Sequence, residues 1–418
     1  MREAISVQEA REAVLALSRP LERESAPILE ALGRCLAAPV VSTRRLPPRD
    51  ASAMDGYAVR VEDCLAAGSG VSAALPVAFE VAAGDVSGAE LKPGEAARIF
   101  TGAPVPRGAD AVVRQEDTER ESDCVRIRIR PQPREHIRDA GEDVETGDTV
   151  LEIGARVGPS EIGVLASLGR SLVQVYRRPR VAILSGGDEL VEIDGDVSGG
   201  RIVASNAYML GAACRTLGAE PISLGIAEDR PESVEKQFRA ALSADCIVST
   251  AGVSVGDHDH VRPVLEKLGC RLEFWGVRMK PGFPLAFGHF PDSPGRLVFG
   301  LPGNPVSATV CFELFVRPAL LRMMGRQDLF PPTVRVRLGE RLRKKPGRLH
   351  FVRVVLEREG EEWVARSAGN QSSGVMTAMA RADALLVFPE DASELAVGES
   401  ALAIVHSRDF FARDNAGF

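Results

Sequence analysis

The sequence predicts a multidomain α/β protein: a central doubly wound, mostly parallel sheet with helices on both faces, an inserted β-rich domain, a helical linker domain and a small, barrel-like C-terminal β domain. Three observations carry this. At 418 residues the chain exceeds what one ordinary core accommodates. Apolar runs ending in Gly or acidic loops alternate with helical stretches from 176 to 327, the signature of a parallel sheet. On either side, over 46–145 and 328–418, the texture changes to short alternating runs separated by Gly and Pro.

In chain order, the first 45 residues read as helical. "MREAISVQEAREAVLALSRP" carries acids inside its apolar stretch and has no small-residue cleavage site, so an amphipathic helix capped by Ser6 is expected. "ILEALGRCLAAPVV" extends the helical reading. Residues 46–145 hold "PVAFEVAA", "AARIF", "DAVVRQE" and "CVRIRIR", a β module; helical periodicity then returns in "PSEIGVLASLG". Residues 1–45 and 146–175 are therefore expected to form one discontinuous helical domain into which the β module is inserted.

Between 176 and 327, "RVAILSGG", "EPISLGIAED", "DCIVSTAG" and "RLVFGLPG" supply strands, and "SNAYMLGAACRTLG", "PESVEKQFRAALS" and "VRPVLEKLG" supply helices. "TVRVRL", "HFVRVVLE", "DALLVFP" and "ESALAIVH" then make the C-terminal β domain.

Composition narrows the function. Hydrophobic residues at 45% and charged residues at 26% describe a soluble globular protein, and no apolar run approaches the ~20 residues that span a bilayer. A cytoplasmic location is expected. The seven cysteines are scattered, with no C-x-x-C pair and an odd total, and read as reduced packing residues. A net charge of -7 argues against general nucleic-acid binding, which depends on neutralising phosphates.

In a doubly wound sheet, ligands collect outside the carboxyl ends of the strands. Three loops fall there: "SGGDEL" with Ser185, Gly186 and Gly187, "STAGVSVGDHDH" with Gly252, Ser254 and Gly256, and "LPGNP" with Pro302, Gly303 and Asn304. Their glycines and serines leave backbone N–H groups open to phosphate or another oxyanion, although none matches a Walker loop or G-x-G-x-x-G; a tight turn needing positive φ is the competing reading. Gly303 is expected to admit a close backbone approach, with Asn304 and Pro305 as helix N-cap and first residue.

Asp188, Glu189, Asp257 and Asp259 crowd the same edge, which calls for a hard cation such as Mg²⁺ unless the loops are simply solvated. "DHDH" also admits zinc through His258 and His260, but further ligands with suitable spacing are lacking. Arg278 and Lys280 supply positive charge before a Pro-Gly turn, or end a surface strand. "KKPGRLHFVRVV" concentrates Arg341, Arg343, Lys344, Lys345 and Arg348 on what reads as a solvated face, with Arg353 apart from them. In the β module "SAMDGYAV" combines Met54, Asp55, Gly56 and Tyr57 in a way that turn formation explains poorly, and "AGEDVETGD" adds Glu142 and Asp143.

Together, "LPPRDASAMDGYAVR", "RIFTGAPVPRGADAVV", "AGEDVETGD", "SGGDEL", "SNAYML", "STAGVSVGDHD", "MKPGFPLAFG", "LPGNPVSA", "GRLHFVR" and a looser "GNQSSG" resemble the molybdopterin molybdenumtransferase family, that of bacterial MoeA and the C-terminal domain of gephyrin. The resemblance runs from about 46 to 374 in the family's order. It implies a four-part subunit in a homodimer whose cleft draws on both chains, transient contact with a molybdopterin adenylyltransferase, and Mg²⁺-dependent insertion of molybdate into adenylyl-molybdopterin with release of AMP.

Residue by residue, the resemblance assigns functional positions to Asp55, Thr101, Asp143, Glu189, Asp229, Asp259, Lys280, Pro302, Pro305, Ser307, Arg353 and Ser373. Asp55, Asp143, Glu189, Asp229, Asp259 and Lys280 would carry the chemistry, with Glu189, Asp229 and Asp259 as metal ligands. Lys280, Ser307, Arg353 and Ser373 would contact molybdate. The chain departs from the family at Phe283, where many members carry a second lysine, and at Ser372, where Gly is commoner. A pterin-binding scaffold and an unrelated Mg²⁺-dependent nucleotide hydrolase are the alternatives; the intact acid set favours the transferase over the first, and "SAMDGYAV" is unexplained by the second.

Overall fold

The computed structural model describes residues 1–68, 70–85, 88–250, 260–406 and 410. The chain divides into two compact units, one of Met1–Ala26, Gly33–Ala37 and Gln174–Phe418, the other of Pro27–Leu32 and Ala38–Val173. Residues 1–26 lie in the first unit and 146–173 in the second. Within these units the finer four-part division stands as our proposal.

The first unit is built on a seven-stranded sheet. Its strands are β1 (Arg2–Ile5), β2 (Arg180–Gly186), β3 (Glu220–Ala227), β4 (Cys246–Ser249), β5 (Arg271–Val277), β6 (Ala286–His289) and β7 (Leu297–Gly300), in spatial order β1-β5-β6-β7-β4-β2-β3. The run β7-β4-β2-β3 is parallel, as expected. β6 is antiparallel to both neighbours, and β1 pairs in parallel with β5, joining Arg2 to Phe274.

Helices cover both faces: α1 (Val7–Leu17), α2 (Ser205–Leu217), α3 (Pro231–Ala241), α4 (Val261–Lys267), α5 (Pro305–Cys311) and α6 (Arg317–Met323). Side chains alternate along each strand, so the faces have separate cores. Val181, Ile183, Cys246, Val248 and Phe299 pack with α1, α2, α5 and α6, while Ala182, Leu184, Ile247 and Val298 pack with α3 and α4. Burial on both faces explains why β4 and β7 read as unbroken apolar runs.

Ser6 caps α1 as expected: its Oγ accepts from Glu9 N at 3.2 Å, and its own N–H donates to the Glu9 carboxylate at 2.7 Å. "ILEALGRCLAAPVV" does not continue as helix. It breaks into turns over residues 28–33, Gly33 taking φ 78°, and Leu36 bridges to Val175.

The C-terminal region closes into a barrel. β8 (Thr333–Leu338), β9 (Leu349–Glu359), β10 (Glu362–Ser367), β11 (Ala384–Phe388) and β12 (Ser400–Val405) pair in the cycle β9-β10-β8-β12-β11-β9. The short strand Met279–Lys280, which follows β5, pairs with the start of β9.

The second unit contains a six-stranded sheet in the spatial order Ala111–Arg114, Gly56–Val59, Ala96–Ile99, Ala73–Val81, Cys124–Ile127, Thr118–Glu121. It confirms the β-rich reading of this stretch. None of the seven cysteines forms a disulfide, six of them are buried, and burial pushes the thiols of Cys214 and Cys270 up to about 12. Reduced packing residues is what the sequence led us to expect.

Candidate functional site

Parallel pairing brings the ends of β2, β4 and β7 to one edge. Thr250 N donates to Leu184 O at 2.9 Å, Leu301 N donates to Ser249 O at 2.7 Å, and the hydroxyls of Thr250 and Ser185 are 3.5 Å apart. Ser185 and Thr250 are both buried. Of the sequence-predicted residues, Ser185 and Gly186 end β2 and Gly187 forms the turn after it. Gly187 has φ 139°, and a Cβ there would lie 2.4 Å from a Glu189 carboxylate oxygen, so glycine lets that carboxylate fold over the turn.

The acids after β2 and β3 come together. Asp188 accepts a bond from Asp229 N at 3.0 Å, and Gly187 N donates to Ala227 O at 3.2 Å. Glu189 and Asp229 are therefore exposed carboxylates on neighbouring, mutually tied loops. Gly252, Ser254, Gly256, Asp257, His258 and Asp259 lie outside the described residues. Among the described residues no group of three His, Cys, Asp or Glu stands ready to hold a metal ion. Exposed, oxygen-only donors on two loops nevertheless suit Mg²⁺, which keeps several waters and takes few protein ligands.

"LPGNP" behaves partly as expected. Pro305 is the first residue of α5, and Asn304 stands at its N-cap, but the Asn304 side chain makes no capping bond. At Gly303 the nearest described atom to an added Cβ would be Thr250 O, 3.9 Å away, so the loop leaves open space there. What fixes the loop is Asn206, whose Nδ2 donates to Gly303 O at 2.7 Å. The sequence reading gave Asn206 no role. Ala204 occupies the N-cap of α2, which frees the Asn206 side chain two residues on for this longer reach.

Three predicted anion contacts from distant segments meet beside α5. Val306 N donates to Ser373 O at 3.1 Å, which seats Ser373 against the buried first turn holding Ser307. Arg353, on β9, is 1% exposed, and its Nη2 donates to Asn370 O at 3.0 Å and Ser372 O at 3.2 Å. Among the described residues its Nε finds no partner and no acid offsets its charge, and burial lowers its pKa. Gln371, quoted within "GNQSSG" but likewise given no role, clasps the Arg353 backbone, accepting from its N–H at 3.0 Å and donating to its carbonyl at 2.9 Å. Pro302 is buried, and Lys280 is exposed on the strand beside β9.

A cavity of about 430 Å³ opens beside Ser185 between β2, β3 and α2. In its wall Tyr208 donates its hydroxyl proton to Glu192 at 3.0 Å. In the second unit, the Asp55 carboxylate accepts from Thr101 N at 2.7 Å and from Thr101 Oγ at 2.8 Å, and these bonds hold its pKa below the usual carboxylate range. Asp143 is exposed, its N–H donating to Leu46 O at 3.0 Å.

The family described as MoeA N-terminal region (domain I and II) matches residues 5–169, the probable molybdopterin binding domain matches 182–322, and the MoeA C-terminal region (domain IV) matches 335–405. A molybdopterin molybdenumtransferase of Nostoc is 39% identical over 392 residues, covering 92% of this chain and 88% of the relative. One from Haemophilus influenzae is 37% identical over 402 residues, covering 95% and 97%. The crystal structure of a molybdopterin biosynthesis MoeA protein from Pyrococcus horikoshii aligns with TM-score 0.82 at 30% identity, covering 96% of this chain and all of the other.

Proposed function

The chain belongs to the molybdopterin molybdenumtransferase family, and on that premise we propose that it inserts molybdate into the dithiolene of adenylylated molybdopterin in a Mg²⁺-dependent reaction that releases AMP. It is a transferase of molybdenum cofactor biosynthesis. The observation that supports the finer reading is that buried Arg353, with no offsetting acid among the described residues, donates to the Ser372 carbonyl next to Ser373, whose own carbonyl accepts from Val306 N beside Ser307.

The reactants are mutually repelling anions, so the catalytic problem is one of gathering and neutralising them. Arg353 keeps its proton at any physiological pH and is already fixed by two carbonyls, which makes it a preorganised oxyanion anchor. Ser307 and Ser373 add hydroxyl donors, and Lys280 a mobile cation. Ser185 and the Gly186–Gly187 turn offer hydrogen bonds toward the pterin phosphate. Asn206 keeps "LPGNP" rigid against this edge. Glu189 and Asp229, with Asp259, would hold Mg²⁺, which when bound supplies positive charge at the phosphoanhydride. Asp55, Thr101 and Asp143 would serve the cleft of a cytoplasmic homodimer from the other chain. Pterin delivery would involve transient contact with the adenylyltransferase.

Lys280→Ala tests the oxyanion assignment. The molybdate concentration giving half-maximal insertion is expected to rise roughly tenfold, the cost of one charge-assisted hydrogen bond, with AMP release at saturating molybdate less affected. An unchanged molybdate requirement removes Lys280 from the pocket.

A further inference from the structure

A second cavity, of about 590 Å³, lies where the strand Met279–Lys280 meets the start of β9, and the segment 342–348 forms its rim. The sequence read those basic residues as a solvated face, but they converge. Lys280, Lys344, Lys345 and Arg348 all line the cavity, and none of the four has an ion-pair partner among the described residues. Arg343, also in the wall, differs: Glu394 neutralises it at 2.8 Å.

Lys344 is held by neutral groups. Its Nζ donates to the carbonyls of Arg348 at 3.1 Å and Glu390 at 2.8 Å and lies 5.1 Å from the centre of the Phe388 ring. The Arg348 guanidinium stacks over Phe283 at 4.5 Å. The nearest acids do not cancel them: the Glu390 carboxylate is engaged by Arg278 at 3.0 Å, and Asp391 acts on Lys344 only through its field. His350, in the same wall, is pushed down to about 4 by burial and by Lys280, Lys344 and Arg348, so it is neutral at neutral pH.

Four like charges lining one cavity repel, and an anion among them relieves that repulsion. We propose that this cavity is a binding site for a multivalent tetrahedral oxyanion, held by Lys344, Lys345 and Arg348 together with Lys280. The anion is either free, as molybdate, or the phosphate end of the pterin nucleotide. The choice between those sources rests on the proposed function; the preference for an anion does not. Its size suits the second source, since cavities of about 300–1,000 Å³ take whole small molecules.

The test is calorimetric titration of the full-length protein with pyrophosphate and, separately, with molybdate. The wild type is set beside Lys344→Gln/Arg348→Gln and beside a charge-matched control, Arg239→Gln/Arg262→Gln, on the exposed α3 and α4 surfaces. The cavity variant is expected to lose roughly tenfold or more in affinity for at least one anion, and the control to stay within about twofold. Loss confined to pyrophosphate assigns the site to the phosphate end, and loss confined to molybdate assigns it to the free oxyanion.

Should the double variant not fold, Lys345→Gln, on an exposed side chain, carries the same expectation for affinity. An NMR titration gives a local readout: the bound anion should raise the pKa of His350. No binding by the wild type, equal affinity in cavity variant and wild type, or equal weakening in the control would each overturn the inference. AMP release, followed in parallel, separates the two claims. If the wild type releases AMP while anion binding ignores the cavity, only this inference falls; if it binds the anion but releases no AMP, the proposed function falls instead.

Discussion

Arg353→Met is expected to cut molybdate insertion by roughly 10²–10³-fold, the effect of losing a preorganised oxyanion donor, while leaving the protein folded. Two terms compete for stability. Removing the guanidinium leaves the carbonyls of Asn370 and Ser372 without it, and because both residues are exposed the cost stays at the lower end of the roughly 1–3 kcal/mol per buried group. Against this, a buried charge with no acid beside it among the described residues is itself costly, and apolar replacement of buried ionic groups is often neutral or stabilising by about 1–4 kcal/mol. The two nearly cancel. The unfolding free energy should therefore change by less than about 2 kcal/mol. Denaturant titration beside an AMP-release assay checks this, and stability and activity falling together would mean that Arg353 is a structural prop.

Gly56→Ala should have the opposite profile. In the sheet of the second unit, Gly56 pairs with Arg114 on the neighbouring strand, and a Cβ at position 56 would lie 1.9 Å from Val113 O and 2.8 Å from Val113 C. Those are backbone atoms locked in a ladder, so no side-chain rotation relieves the overlap. The strands must separate, at a cost of about 3 kcal/mol or more. Because Asp55 immediately precedes Gly56, its two bonds to Thr101 should loosen as well. Hydrogen exchange at residues 56–59 and 111–114 should show lost protection. A variant within about 0.5 kcal/mol of wild type, the range of an ordinary surface substitution, would show that the sheet has room there.

The Gly56 overlap also explains why "SAMDGYAV" resisted a turn interpretation. Its glycine serves strand packing, and its aspartate is clamped by Thr101 from another loop. Neither contact has a local signature. What sequence does encode locally was legible: the buried runs of β2, β3, β4 and β7, the Ser6 capping box, and Pro305 opening α5. Each depends on residues within a few positions of one another.

What was not legible depends on distance along the chain. β1 joins the sheet by pairing Arg2–Ile5 with residues 274–277, and so short a strand shows no alternation worth reading alone. Asn206 was visible within "SNAYML" but not its bond to Gly303, which spans 97 positions. Arg353 stood apart in "KKPGRLHFVRVV" because it follows an apolar pair, and it is indeed buried. Its basic neighbours read as solvent-facing, yet the return of the chain at Met279–Lys280 turns several of them onto a cavity. Amphipathic spacing cannot distinguish a charge facing solvent from one facing another cation.

Central to the account is the claim that this chain brings molybdate and the adenylylated pterin together and converts them. The most direct measurement is to incubate the purified protein with adenylylated molybdopterin, Mg²⁺ and molybdate, and to follow AMP and protein-bound molybdenum together. Equal amounts of AMP released and molybdenum inserted, both requiring Mg²⁺, are predicted. Tight retention of the adenylylated pterin with no AMP formed would contradict it and leave a binding scaffold in place of a transferase.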